Sequence, residues 1–292
     1  MKRNNRCLFT FFSLLIPLSF LFFIEGRALL NTITKSFTNW NGSDNWQFIG
    51  LQNYIHILKS EEFFIMLINS LIILLYIPVS VLIGLVLSVY IYETKLHTFV
   101  VYLVYLPQIL SAVVSGKIFQ FLFSLTGPVN QLLKIIGLHE VYFFGNRWMS
   151  FGVIILSLVW MDYGWHTIYL SGFLSTKNSY IQDLILLDGV KIFCKIVKIY
   201  IPILWPALKS SLLITMLFSF SNMFPLIFLM TKGGPGYGTT TIDYLIYDKS
   251  FSLGGNLGEA SALSVILLLI LLIVLFGSIN LSYYKRKKED KL

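Results

Sequence analysis

The chain has 292 residues, of which 56% are hydrophobic and 12% are charged, and its net charge is +8. Water-soluble domains carry about 25% charged residues, so this composition excludes a soluble fold and requires apolar surface that faces lipid. In so apolar a chain the basic excess indicates the cytoplasmic side of a membrane, not a nucleic-acid partner. We therefore expect an all-α polytopic membrane protein whose residues 1–292 form a single transmembrane domain.

Six stretches of the chain are apolar over the roughly 20 residues that a helix needs to cross a bilayer. They are residues 8–24, 64–92, 97–123, 149–174, 207–230 and 261–284. A barrel is disfavoured because Ser261–Phe276 does not alternate between apolar and polar residues. After the first stretch come Glu25 and Arg27, where a signal peptide would have small residues. We therefore expect this stretch to be an uncleaved anchor.

The distribution of lysine and arginine predicts the orientation of the chain. If both termini are cytoplasmic, the inner segments hold most of the basic residues, including the run Lys285–Lys288. Basic residues concentrate on the cytoplasmic side of membrane proteins. We therefore expect both the N- and C-termini to lie in the cytoplasm.

The fourth predicted span carries a group of polar and aromatic residues near its centre. Asp162 lies near mid-membrane, where a carboxylate is costly and usually functional. Trp165, His166 and Tyr169 follow at helical spacing. Acids hydrogen-bond sugar hydroxyls and aromatic rings stack on sugar faces, so these four residues are candidates for a substrate pathway. The alternative is that Asp162 pairs with His166 or a neighbouring helix as a structural contact.

The segment between the fourth and fifth spans, residues 175–206, is far longer than a connector needs to be. It is amphipathic, with Lys191, Lys195 and Lys198 on one helical face. Taken alone, this pattern is equally typical of a helix that lies on the membrane surface.

The fifth span contains a stripe of polar residues, Ser211, Thr215, Ser219 and Asn222. The stripe either lines a pathway or packs against another helix, and Ser219 and Asn222 are the deepest pathway candidates. After this span, Gly233, Gly234 and Pro235 predict a tight irregular turn.

The long segment resembles the cytoplasmic loop motif of ABC importer permeases, EAAxxDGAxxxxxFxxIxLPxxxP. Asp188-Gly189-Val190 stands where the family has DGA, and Ile199, Pro202 and Pro206 are in register. Asp183-Leu184-Ile185 replaces EAA, so only the acid is kept. Residues Phe48–Leu58 and Thr231–Phe251 resemble segments of carbohydrate permeases, closest to the shorter partner of maltose-type and multiple-sugar-type pairs.

The resemblance implies a type I ABC importer permease that forms half of a sugar or oligosaccharide pathway. Its implied partners are a second permease subunit in a heterodimer, two ATP-binding subunits, and an extracellular or periplasmic solute-binding protein. The implied ATPase-coupling residues are Asp183, Asp188, Gly189, Val190, Ile199, Pro202 and Pro206. The turn at Gly233, Gly234 and Pro235 would lie at the outer mouth, and the implied location is the bacterial inner (cytoplasmic) membrane.

The chain lacks the phosphate-binding GxxxxGK[ST] loop, so we expect a transport subunit that is not an enzyme and has no catalytic residue, cofactor or metal. A permease for glycerol phosphate or another polar solute is the first alternative. An ion-coupled secondary transporter and a membrane enzyme are more distant ones, since buried charges are few and the four histidines are scattered.

Overall fold

The computed structural model describes residues 13–94, 97–176, 192–251 and 255–289, and these residues are mainly helical. The helices are α1 (Ser13–Lys35), α2 (Gln52–Lys59), α3 (Glu61–Ile73), α4 (Tyr76–Thr94), α5 (His97–Ile109), α6 (Ala112–Leu122), α7 (Pro128–Ile135), α8 (Arg147–Ser175), α9 (Ile192–Met230), α10 (Ile242–Phe251) and α11 (Leu257–Glu289). Within the described ranges, paired backbone is confined to one isolated bridge between Thr38 and Phe48.

The helices confirm the predicted multi-pass membrane fold. Among the described residues, five helical stretches are long and apolar enough to cross a membrane, or six if the bent pair α5 and α6 forms one span. The second stretch, Glu61–Thr94, joins α3 and α4. The stretch that corresponds to the fifth predicted span begins at Ile192, well before the predicted start at 207, so the end of the predicted loop is helical.

The third predicted span is sharply bent. Its arms, Phe99–Ile109 and Ala112–Leu122, meet at 91°. Ser111 leaves the helical conformation with ψ of 152°, and its hydroxyl accepts a hydrogen bond from the N–H of Val114, which caps the second arm. Serine is a preferred N-cap. Pro107 lies in the last turn of the first arm and has no N–H to donate, which weakens the helix before the bend.

Two compact units can be distinguished in the chain. In the unit that contains Phe64–Tyr244, helix α8 packs against α4, α5 and α9. The face of α4 that meets α8 carries buried small residues, Ser80, Gly84 and Ser88. Small residues let membrane helices approach closely, and close packing is the main force between helices in lipid. Close packing at this interface fixes the position of α8, the helix that carries Asp162, relative to α4.

In the other unit, which contains residues up to Phe63 and Leu245–Val274, the start of α11 packs on the loop after α1. The N–H of Gly258 donates to the carbonyl of Trp40 at 2.8 Å, and a β-carbon at Gly258 would overlap the carbonyl of Thr38. The Glu259 carboxylate lies 3.4 Å from His56 and 3.2 Å from Lys249. This buried acid therefore connects α2, α10 and α11.

Candidate functional site

A cavity of about 280 Å³ lies among α5, α8 and α9. Its lining residues are Gln108, Asp162, Trp165, Ile214, Thr215, Phe218, Ser221 and Asn222. The cavity thus combines a carboxylate, two amides and two hydroxyls with two aromatic rings. This is the mixture of directed polar groups and apolar walls that small-molecule sites use.

Asp162 is the ionisable residue in this lining. Its side chain is buried, and no lysine or arginine in the described part of the chain forms an ion pair with it. The hydroxyl of Tyr76, a fully buried residue of α4, lies near this carboxylate, but the two groups do not meet the geometry of a hydrogen bond. An acid at this depth in a membrane bundle typically faces a polar pathway.

His166 is not part of the cavity lining and joins α8 to α9. Its Nδ1 lies 2.6 Å from the hydroxyl of Ser211, and its Nε2 lies 3.5 Å from that of Thr215. In the described structure His166 therefore has two hydroxyl partners on α9. The sequence had offered pairing with Asp162 as an alternative. The polar stripe of the fifth span is partly used for this helix contact.

Tyr169 and Ser219 also lie outside the cavity lining. The hydroxyl of Tyr169 is 2.7 Å from that of Ser210, and its ring stacks on Trp165 with centroids 5.4 Å apart. The hydroxyl of Ser219 donates to the carbonyl of Met216 within its own helix. The structure thus brings Asp162, Trp165 and Asn222 to one cavity, while the transport roles of all six predicted pathway residues stay predictions.

Several cavity residues were not predicted from the sequence. Gln108 and Ser221 are polar residues inside apolar spans, a signal that could have identified them. Phe218 carries no such signal, because one aromatic residue among many on a membrane helix is typical of lipid contact.

Only part of the predicted coupling motif falls within the described residues. Asp183, Asp188, Gly189 and Val190 lie outside them. Ile199 is half-buried against the helical core, whereas Pro202 and Pro206 are exposed within the continuous helix α9. Their contact with an ATPase stays a prediction.

The predicted turn at Gly233, Gly234 and Pro235 forms a compact loop between α9 and α10. Gly233 has φ of +81°, a conformation that residues with a β-carbon rarely adopt. The hydroxyl of Thr239 donates to the carbonyl of Gly234 at 2.8 Å, and that of Thr240 donates to the carbonyl of Gly233 at 3.0 Å. The threonines thus satisfy carbonyls that an irregular turn would otherwise leave unpaired.

Asn69 and Arg147 hold this loop from outside. The amide of Asn69, which is fully buried on α3, donates to the carbonyls of Tyr237 and Thr240 at 3.1 and 2.8 Å. Arg147 donates to the Asn69 side-chain oxygen at 2.7 Å. Three chain segments therefore meet at one amide side chain, which sequence reasoning had not singled out.

Asp243 stands at the start of α10, directly after this loop. Both carboxylate oxygens are buried and have no hydrogen-bond partner of good geometry among the described residues. Burial raises the pKa of Asp243 to about 6, and the nearby Thr241 hydroxyl offsets only part of this effect.

The membrane-spanning helices define a multi-pass membrane protein, and a cavity with a buried carboxylate between them is typical of a transport pathway. No protein-family model matches the chain. A probable ABC transporter permease protein of Pyrococcus horikoshii is 30% identical over 270 residues, covering 88% of this chain and 89% of that protein. The trehalose/maltose transport system permease protein MalF of Thermococcus litoralis is 26% identical, covering 77% of this chain and 76% of that protein.

The fold is similar to that of a bacterial ABC transporter involved in the import of the acidic polysaccharide alginate. The TM-score is 0.77 at 20% identity, with 96% of each chain covered. This similarity concerns the fold, and the relative from Pyrococcus horikoshii shows that the chain belongs to the ABC transporter permeases.

Proposed function

We propose that the chain is the permease subunit of an ABC importer for a sugar or oligosaccharide. The observation that carries this proposal is the cavity, where Asp162 and Asn222 can hydrogen-bond hydroxyls and Trp165 offers a ring for stacking. Membership of the permease family and similarity to the trehalose/maltose permease support it.

In this proposal a solute-binding protein delivers sugar to the outer mouth near Gly233, Gly234 and Pro235. A second permease subunit completes the pathway, and two cytoplasmic ATP-binding subunits supply energy. The chain forms one transmembrane domain in a bacterial inner membrane, with both termini cytoplasmic. The excess of basic residues in the inner segments supports this orientation.

The mechanism is alternating access, with no covalent step on this chain. The segment with Asp183, Asp188, Gly189 and Val190 docks on the ATPase and continues through Ile199, Pro202 and Pro206 into α9. Because α9 also carries Thr215 and Asn222, movement of the docked segment changes the walls of the cavity.

The charge of the cavity favours an uncharged substrate over an anionic one. Asp162 lies in the lining without a cationic partner among the described residues, and charges interact strongly in a low-dielectric bundle. A phosphate ester would be repelled by this carboxylate, whereas a neutral sugar can donate hydroxyl hydrogen bonds to it.

The test is transport by the complete complex in proteoliposomes, with trehalose, maltose and xylose as labelled substrates and glycerol phosphate as the anionic comparison. We expect ATP-dependent and binding-protein-dependent uptake of a sugar. Gly189→Trp should abolish this uptake without loss of the subunit from the membrane, while Gly172→Trp on an exposed face should retain it. Uptake that does not depend on ATP, or normal uptake by Gly189→Trp, would contradict the proposal.

A further inference from the structure

One carboxylate ties the beginning of α9 to the end of α4. The Tyr200 hydroxyl donates a hydrogen bond to Oε1 of Glu93 at 3.0 Å, and the Lys195 ammonium lies 3.7 Å from the same oxygen. The side chains of Glu93 and Lys195 are only 24% and 18% exposed. Removing one partner from such a partly shielded pair has a larger effect than breaking a fully exposed ion pair.

The backbone of α9 explains how one oxygen reaches two residues five positions apart. In a regular α-helix each residue turns by about 100°, so residues five apart point in different directions. Residues Ile196–Tyr200 instead form a π-helical turn, whose hydrogen bonds connect residues five apart. Pro202 has no N–H to donate back into this turn, which favours the departure from α-helical bonding. Single π-helical turns occur frequently at functional sites.

Aromatic packing fixes the same junction. Tyr200 is fully buried, and its ring meets that of Tyr92 on α4 edge to face, with centroids 6.4 Å apart. The other side of the segment Ile192–Tyr200 is free in the described structure. Lys198 is exposed there, and Phe193 and Val197 expose 73% and 44% of their surface. The segment thus has one side anchored to α4 and one side available.

We propose that Glu93 is a positioning residue for energy coupling. Its contacts make α4, the segment Ile192–Tyr200 and the rest of α9 move as one body. The inference rests on the proposed function, because a segment must contact the ATPase before it has motion to transmit. Helix α9 carries Thr215 and Asn222 to the cavity, and α4 packs through Gly84 on the helix of Asp162. Without the Glu93 contact, the segment bends at the π-helical turn and ATP hydrolysis proceeds without moving the cavity walls.

The experiment measures sugar uptake and ATP hydrolysis together in proteoliposomes that contain the complete transporter and its binding protein. Glu93→Gln removes the charge, and Tyr200→Phe removes the hydroxyl while keeping the packed ring. Glu62→Gln and Tyr90→Phe are the matched controls at exposed positions. We expect the number of sugars transported per ATP hydrolysed to fall about fivefold or more in both test variants and to stay unchanged in both controls.

The double variant gives a second readout. Glu93→Gln weakens the hydrogen bond that Tyr200→Phe removes, so the two changes should not be independent, and the double variant should lower the transport ratio by less than the product of the two single reductions. Unchanged ratios in the single variants, or equal loss of assembled complex, hydrolysis and uptake, would overturn the coupling role. If no ATPase binds the unmodified permease, the proposed function fails first and the coupling role fails with it.

Discussion

Gly84 of α4 lies so close to His166 of α8 that a β-carbon on Gly84 would overlap the Cβ of His166. The backbone N–H of Thr167 would also lie only 3.0 Å from the added carbon. His166 cannot move aside easily, because Ser211 and Thr215 hold both of its ring nitrogens. The contact therefore fixes the distance between two helices of the core, one of which carries Asp162.

The first prediction is that Gly84→Ala destabilises the protein by about 1–3 kcal/mol, since the overlap forces α4 and α8 apart. The measurement is the thermal unfolding of the purified protein in detergent. Gly172→Ala is the control, because a β-carbon at Gly172 meets no atom within 4 Å. That variant should be neutral or gain up to about 1 kcal/mol from better helix propensity. Equal effects at the two positions would refute the close-packing argument.

Asp162→Asn is predicted to weaken transport of a neutral sugar about 10-fold or more. The reason is that hydrogen bonds to a charged acceptor contribute about 1.5–3 kcal/mol, and the amide is a weaker acceptor. The same change should reduce discrimination against an anionic analogue, because the repelling charge is gone. Uptake kinetics in proteoliposomes measure both effects, with Asp44→Asn at an exposed loop position as the control. Unchanged kinetics for both substrates would assign Asp162 a structural role.

The spans and part of the cavity could be predicted from the sequence, because lipid imposes long apolar helices and makes a buried carboxylate conspicuous. Asp162, Trp165 and Asn222, three of the predicted pathway residues, line the cavity. The bend at Ser111 could not be predicted in the same way, because the apolar composition continues through it. The partners of His166 depend on which helix packs beside α8, and hydrophobic periodicity carries no information about that choice.

The amphipathic segment shows a second limit of sequence patterns. Regular helical spacing predicts Lys195 and Lys198 on one face, yet Lys195 is half-buried beside Glu93 and Lys198 is exposed. The π-helical turn at Ile196–Tyr200 rotates one residue relative to the other. Such a turn depends on tertiary contacts and on Pro202, which a spacing rule for α-helices does not include.

Cys194 provides a test of orientation. Its side chain is exposed in the segment that we propose to be cytoplasmic. In a Cys7→Ser background, a membrane-impermeant thiol reagent should leave Cys194 unlabelled in intact cells and label it after the membrane is opened. Ser43→Cys, introduced in the Cys7→Ser, Cys194→Ser background at an exposed loop position that we place outside, should be labelled in intact cells. Labelling of Cys194 from outside would reverse the proposed topology.

Asn69→Asp is predicted to loosen the loop between α9 and α10. The change keeps an oxygen for Arg147 but replaces the amide donors with an oxygen that faces the carbonyls of Tyr237 and Thr240. Leaving these groups unpaired costs about 1–3 kcal/mol. Hydrogen exchange should therefore become faster in residues 231–242. Asn31→Asp at an exposed position should leave that exchange rate unchanged, and an equal rate in both variants would contradict the role of Asn69.

Asp243 gives a prediction for the pH dependence of stability. Burial raises its pKa from 3.8 to about 6, so folding favours the protonated carboxyl. The stability that this preference contributes is complete below about pH 4 and is lost as the pH rises through about 6. At pH 7 the ionised carboxylate lowers the free energy of unfolding by about 3 kcal/mol, because one pKa unit corresponds to about 1.4 kcal/mol.

Asp243→Asn should therefore raise the unfolding temperature at pH 7 to 8, and its advantage over the unmodified protein should disappear towards pH 4. The unfolding temperature in detergent, measured from pH 4 to 8, tests this expectation. Asp248→Asn on the same helix is the control, because that side chain is exposed and its replacement leaves burial unchanged. If Asp243→Asn lowers stability at pH 7, the carboxylate has a favourable partner in the folded protein, and the charge of Asp243 stabilises the start of α10 instead of opposing its burial.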